Sequence, residues 1–494
     1  MNFFKRHSLL ITFFAGILIG IALIEANKTF LAKNFLYSQT AESSETLTNL
    51  TDDNYYKYYP VFSEAYKIIK REFIDGTKTT AKRLFYGAVK GMLESLEDPY
   101  TTFMDPTTSK EFTMEMSGSF GGLGIQIDIR NGWLTVISPM EDTPAWKAGI
   151  KPGDKIIEIE GVSTKGITPR EAVEKLRGKP GTKVTITIER EGISTPFSVT
   201  MIREEIKLKT VKSDFIKTKD KTYGYVKLLE FTQPTAEDFK SQLSSLLNRK
   251  IDGLIVDLRN NPGGLITSVA NIVDYFQDEG LIVYTKGRTL ENNTEFYASK
   301  DTTIVPMDLP VVILVNQGSA SASEIFTGAL KDTGRAVVVG KTTFGKGSVQ
   351  KTYVFPTDGS LIKYTVAKYY TPSGKCIDKE GIKPDIEEEM WYDQLKDEEK
   401  KEMISLQNTN IISEFLKKNK EINEEKIREL QSYLEQNGYK LNKKSVQYLV
   451  WMKKIENILP PVYNLEFDNQ LEKSIEVLEN YKKYKKNYKV YKNP

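Results

Sequence analysis

An apolar run opens the chain: residues 9–24 are interrupted only by Thr12 and preceded by Lys5 and Arg6. This is the pattern of an export signal or signal anchor, with the positive flank expected to stay cytoplasmic. The run approaches the roughly 20 residues that span a bilayer only if it extends from Ser8 to Ala26 and includes Glu25, and Ile24-Glu25-Ala26 is a poor cleavage site. Residues 1–26 are therefore read as an anchor in preference to a removed signal peptide. Residues 27–55, polar and without a sustained period, read as a tether. Helical spacing follows in Phe62, Ala65, Tyr66, Ile69 and Phe73, and again in Leu84, Ala88, Met92 and Leu96, with Asp98-Pro99 as a stop. A helical region over 56–116 is expected.

The period changes over 117–205. Short β-branched runs at 124–129, 133–137, 155–160 and 183–190 are punctuated by Gly and Pro, with one helix predicted over 169–176. From 206 to 390 strands alternate with helices, and the apolar runs 253–258, 311–315 and 336–339 predict buried strands of an α/β sheet. Residues 391–494 turn helical and charged, with Ile427, Leu430 and Leu434, then Val446, Leu449 and Val450, then Leu471, Ile475 and Leu478 at helical spacing. This part reads as a helical extension. Its end interleaves lysine with tyrosine from Lys482 to Tyr491, a composition that suits anionic lipid or nucleic acid; a solvated terminus is the preferred reading.

Charge adds little: Lys plus Arg total 69 against 66 Asp plus Glu, a formal +3, which excludes any general pull towards nucleic acid. Rare residues say more. The one histidine is His7, in the flank of the apolar run, so no imidazole is available to a folded domain. Ser-His-Asp and Cys-His hydrolases and His-ligated zinc are thereby excluded, and the single Cys376 excludes internal disulfides and cysteine zinc clusters. Without a histidine partner, Cys376 reads as an ordinary small side chain.

The remaining chemistry lies in three segments. Gly318-Ser319-Ala320-Ser321-Ala322-Ser323-Glu324 follows a predicted strand and opens a predicted helix, a turn that exposes a hydroxyl where unpaired N–H groups and the helix dipole favour an oxyanion. Alone, these serines would read as caps. One helix and one strand later comes Phe344-Gly345-Lys346-Gly347-Ser348-Val349-Gln350, a spacing that can return Lys346 to the serine. Burial would favour its neutral amine, which can take a proton from Ser321, with Gln350 as the candidate group holding it. The third segment, Asp257-Leu258-Arg259-Asn260-Asn261-Pro262-Gly263-Gly264, ends a buried strand in a Gly loop; Gly264 and Ala322 N–H are the expected oxyanion donors.

Gly122-Leu123-Gly124-Ile125, together with Ala148-Gly149-Ile150-Lys151-Pro152-Gly153-Asp154-Lys155, resembles a PDZ domain. Such a domain takes a peptide C-terminus on Gly-rich backbone and adds it to a strand edge. Leu123 and Gly124 belong to the expected carboxylate-binding loop, and Ile125 and Ile127 are expected to face Val173 and Leu176 across a groove suited to an apolar tail. With the three catalytic segments, the chain resembles the carboxyl-terminal processing (tail-specific) protease family over roughly 56–388. That resemblance implies a crotonase-like α/β core with an inserted PDZ domain. It also implies Ser321 as nucleophile, Lys346 as general base, Gln350 orienting the lysine, and Gly264 with Ala322 as oxyanion donors. Pro262 departs from the glycine of many relatives.

The expectation is therefore a metal- and cofactor-free endopeptidase acting on protein tails on the extracytoplasmic side of a membrane, held there by its N-terminus. Nucleic acid is not an expected partner, and a homo-oligomer is left open. Two other readings compete: a catalytically silent membrane-anchored PDZ scaffold, and an acyl-CoA enzyme, which an export signal and a PDZ insert disfavour.

Overall fold

The computed structural model describes residues 55–140, 142–407, 409–455 and 461–494. The anchor expected over 1–26 and all but the end of the tether lie outside them. Among the described residues no helix is long and apolar enough to cross a membrane.

Two bodies are distinct, divided after Gly91. In the first, helix α1 (Tyr55–Glu72) meets the part of helix α2 (Ala81–Glu94) that precedes the division through Phe62 and Tyr66, whose rings lie 5.8 and 5.3 Å from Phe85. These are residues of the apolar stripes that the sequence predicts.

The second body contains a small β module and a larger α/β core. In the module, an antiparallel sheet runs in the order Ile125–Arg130 (β1), Trp133–Pro139, Lys155–Ile159, Lys183–Glu189, Phe197–Ile202, so β1 is an edge. Alternate residues Val184, Ile186 and Ile188 are fully buried, as a half-buried strand requires. Helix α3 (Pro169–Leu176) starts at a capping box: Thr168 N–H donates to Glu171 at 2.9 Å, and the Thr168 hydroxyl accepts from Glu171 N–H at 3.3 Å. The Lys151-Pro152-Gly153-Asp154 turn is locked from inside. Buried Asp154 accepts the Lys151 N–H at 2.8 Å and two Arg190 nitrogens at 2.6 and 2.7 Å.

The core is built on a sheet ordered Val211–Lys217, Thr222–Leu228, Gly253–Asp257 (β2), Val311–Val315 (β3), Val337–Gly340, Ile386–Glu387. Its first pair is antiparallel and the rest parallel. Every residue of β2 and β3 is buried, which explains the apolar runs Leu254-Ile255-Val256 and 311–315. Helices Thr235–Leu247, Ile266–Asp274 and Ala322–Asp332 (α4) fill one face, where Phe239, Phe276 and Phe326 pack in succession. A second sheet joins Ser348–Val354, Leu361–Tyr370, Glu279–Gly287 and Glu295–Ser299, with Thr102–Met104 at its edge.

The helical C-terminal extension packs in two places. Helices between Asp397 and Ile455 gather around Leu406, Leu430, Leu434 and Val446 in a helical core that Phe467 joins. Helix α5 (Asn469–Glu479) leaves that group and buries Leu471, Val477 and Leu478 on the other face of the central sheet, against Ile255, Val312 and Val339. The lysines of the lysine-tyrosine tail are exposed to solvent, while its main chain is pinned: Lys489 N–H donates to Thr333 O at 2.9 Å, and Leu281 N–H to Tyr491 O at 2.6 Å. Tail side chains that look polar in sequence are thus accompanied by a backbone paired to the core.

Candidate active site

The site forms at the carboxyl ends of β2 and β3, the expected place for a ligand crevice in an open α/β sheet. β3 leads through Asn316 and Ser319 to Ser321, whose φ of 54° is uncommon for a residue with a side chain. This sharp turn leaves Ser321 half-buried immediately before the fully buried first turns of α4. Ser319 and Ser323 are structural, their hydroxyls donating to Leu258 O at 2.8 Å and Asn261 O at 2.9 Å. Ser321, between them, stands as the N-cap of α4.

The Gly loop after β2 lies directly against this turn. A methyl group on Gly263 would sit 2.7 Å from Ser321 Cβ and 2.9 Å from Ala322 N, so only glycine allows the approach. Gly263 N–H is used internally, donating to Asn261 Oδ1 at 2.9 Å. The main chain at Gly264 is bridged to Phe231, with Leu265 N–H donating to Phe231 O at 2.7 Å. Neither the N–H of Gly264 nor that of Ala322 has a hydrogen-bond acceptor among the described residues.

Lys346 arrives on a loop that is held from two sides. Gly347 packs on the Asp378 main chain, which would be 2.5 Å from an added methyl, and Lys379 N–H donates to Gly345 O at 2.7 Å. The flanking glycines thus serve close packing as well as freedom of the chain. The tie to the serine is Glu324, fully buried on α4. Its Oε1 accepts the Thr343 hydroxyl at 2.6 Å and Gly345 N–H at 2.7 Å; its Oε2 accepts the N–H groups of Ser321 at 2.8 Å and Lys346 at 2.9 Å. Tyr369 is a second tie, its phenol facing the main-chain oxygens of Ser321 (3.1 Å) and Lys346. Burial pushes that phenol well above its ordinary value and keeps it a donor.

The Lys346 amine lies 4.8 Å from the centre of the Tyr100 ring. Burial, then the positive charge of Lys363, holds its pKa below the ordinary lysine range, against the opposing pull of Asp98 and Glu324. The Gln350 amide nitrogen donates to Ser348 Oγ at 2.8 Å and approaches Thr365 Oγ at 3.4 Å. Thr365 in turn donates to Asp98 at 2.6 Å. Glu324, Tyr369, Tyr100, Asp98 and Lys363 are the surroundings that sequence reasoning missed; of these only Glu324 carries a local signal, standing three residues after Ser321 at a helix start.

In the β module, Gly124 O accepts Met140 N–H at 2.8 Å and Leu123 O accepts Ala145 N–H at 3.0 Å, fixing the loop before β1. Leu123 and Leu176 are core residues, whereas Ile125, Ile127 and Val173 are half-buried, the first two on β1 and the third on α3.

Comparison with known proteins places this arrangement. Peptidase family S41 matches residues 222–388, which contain the Gly loop, Ser321 and Lys346; a PDZ domain matches 135–190, and the activating protease CtpB N-terminal domain matches 15–108. A carboxy-terminal-processing protease of Bartonella bacilliformis is 37% identical over 72% of this chain and 81% of its own length. The chain belongs to peptidase family S41. Carboxy-terminal processing protease CtpB of Bacillus subtilis is 38% identical over 75% of this chain and 74% of its own length. Among solved structures, the photosystem II D1 C-terminal processing protease is 28% identical, with a TM-score of 0.40, over 66% of this chain and 92% of that one. The S41 core and the PDZ module that interrupts the chain before it agree with the α/β-plus-PDZ organisation read from the sequence.

Proposed function

We propose that this S41 peptidase engages the C-terminal tail of a polypeptide through its PDZ domain and cuts peptide bonds by a Ser321/Lys346 dyad. The neutral Lys346 amine takes the Ser321 proton as Oγ bonds to the scissile carbonyl carbon, and the carbonyl electron pair moves onto oxygen, towards the N–H groups of Gly264 and Ala322. Collapse expels the amine product, which receives the proton from the Lys346 ammonium. Water then attacks the acyl-enzyme with Lys346 again as base, releasing the acid product and restoring Ser321. No metal or cofactor is needed. Gln350 supports the lysine loop from the strand that follows it, through Ser348 and Thr365.

The observation that carries this reading is the Glu324 carboxylate, which binds the main chains of Ser321 and Lys346 through one oxygen and so keeps the two motifs together. In the PDZ domain, the free edge of β1 receives the tail as an added strand, with Ile125, Ile127 and Val173 against its apolar side chains and Leu123, Gly124 and Leu176 forming the base beneath. Location on the extracytoplasmic side, with an N-terminal anchor, completes the proposal.

The test is hydrolysis of peptides that differ only at their C-termini, followed by mass spectrometry, with labelling by a serine-directed fluorophosphonate. Wild type should cleave and take one label at Ser321; Ser321→Ala and Lys346→Ala should fold, bind tail peptide and do neither. Full activity in either folded variant would remove the dyad.

A further inference from the structure

The residue that precedes the Gly loop is bound by the far end of the chain. Arg259 follows β2 by two residues and is 8% exposed. Its guanidinium makes two bidentate pairs. Nε and Nη2 donate to the two oxygens of Asp257, at 3.0 and 2.6 Å; Nη1 and Nη2 donate to the two oxygens of Asp468, both at 2.7 Å. Gln470 Oε1 adds a contact at 3.1 Å, while its amide nitrogen donates to Glu388 O at 2.7 Å beside the last strand of the central sheet. Tyr225 completes the cluster by donating to Asp257 at 2.6 Å. Burial pushes the Asp257 carboxyl up, but the Arg259 charge outweighs it and holds the group at about 2.

Asp468 is also the N-cap of α5, its carboxylate accepting Leu471 N–H at 2.9 Å. One carboxylate therefore fixes both the start of a helix on the far face of the sheet and the guanidinium at the base of the oxyanion loop. The next residue, Asn260, has φ 60° and is clamped to Asn316 by two bonds of 2.9 Å. Asn261 O then accepts Ala320 N–H at 3.0 Å and the Ser323 hydroxyl at 2.9 Å, on either side of Ser321. The path from Asp468 to the reacting turn is short and made of directional contacts.

We propose that residues 461–494 are a working part of the protease core, in which Asp468 is a positioning residue that orients the oxyanion loop through Arg259. The inference rests on the nucleophile assignment of the preceding section. Hydrophobic burial of Leu471 and Leu478 would hold α5 on the sheet without any ion pair, so packing and positioning make different predictions.

The experiment uses the full chain and the second-order rate of fluorophosphonate labelling, which reads nucleophile and oxyanion geometry without PDZ engagement, alongside kcat and KM for a tail peptide and the melting temperature. Asp468→Asn keeps the helix cap but removes the charge. It should slow labelling and kcat about ten-fold or more with KM little changed, as a misplaced loop would. Leu478→Ala, which loosens the packing alone, should lower the melting temperature and leave labelling intact below it. Wild-type labelling in Asp468→Asn, or an equal loss in Leu478→Ala, overturns the proposal. Should Asp468→Asn not fold, Gln470→Leu removes one Arg259 contact and must show the same split in smaller measure. Failure of the wild type to label at Ser321 strikes the nucleophile assignment instead.

Discussion

Glu324 touches the main chain of Lys346, not its amine, at 2.9 Å. With four donors converging on its two oxygens, the side chain has no room for a donor of its own. Glu324→Gln would turn an amide N–H₂ towards two of those donors. A loss of about 1–3 kcal/mol in stability is expected from the unsatisfied groups, with a fall in kcat of at least ten-fold. Chemical denaturation and peptide hydrolysis on the same preparation check both.

The proposed dyad predicts that the ascending limb of activity follows Lys346. Its pKa lies below 10.5 in the fold, so the reactive free amine builds up as pH rises, and the rate should rise with it. Removing Lys363 takes away a positive charge that favours the neutral form; Lys363→Met should therefore move the limb to higher pH. Folding follows the same linkage. The folded state binds fewer protons at this site than the unfolded chain, so stability rises with pH between the folded value and 10.5. A rate that falls across the neutral range would count against a lysine base.

Gly263→Ala is the sharpest steric probe. The added methyl would meet Ala320 O and Ser321 Cβ at 2.7 Å, and φ is 106° there. The loop or the serine turn must shift, and a shift near 1 Å corresponds to about 100-fold in kcat. Tail-peptide binding in the Ser321→Ala background should be unaffected, which separates this effect from substrate capture.

Tail recognition can be tested in the same inactive background. Ile127 is half-buried on the edge strand β1, where an aspartate would place charge against an apolar tail. Ile127→Asp should weaken binding of a peptide ending in apolar residues by about ten-fold or more, read by fluorescence anisotropy. Unchanged affinity would move the groove elsewhere.

Much of this was legible in sequence because it is local. A strand, a small-residue turn and a helix start in one stretch announce Ser321; Gly345 and Gly347 announce the loop of Lys346; the fully buried β2 and β3 announce themselves by Leu254-Ile255-Val256 and by unbroken Val, Ile and Leu over 311–315. What surrounds the amine was not legible. Tyr100 and Asp98 precede the PDZ domain, whereas Lys363, Thr365 and Tyr369 lie on the strand Leu361–Tyr370, and antiparallel pairing between Thr102–Met104 and that strand unites them. No periodicity encodes that meeting. The helical spacing of Leu471 and Leu478 was visible, but the pattern does not say which surface it covers. Nor could side-chain composition reveal that the lysine-tyrosine tail forms main-chain bonds to Thr333 and Leu281.

A carboxylate shared between two loops has one more consequence, for control. With Glu324 and Tyr369 gripping both backbones, the turns that carry Ser321 and Lys346 are held as a single jaw. Any signal that switches the enzyme must then act on what remains loose: the torsions of the lysine stem, the aromatic ring on which its tip rests, or the entrance through which substrate arrives.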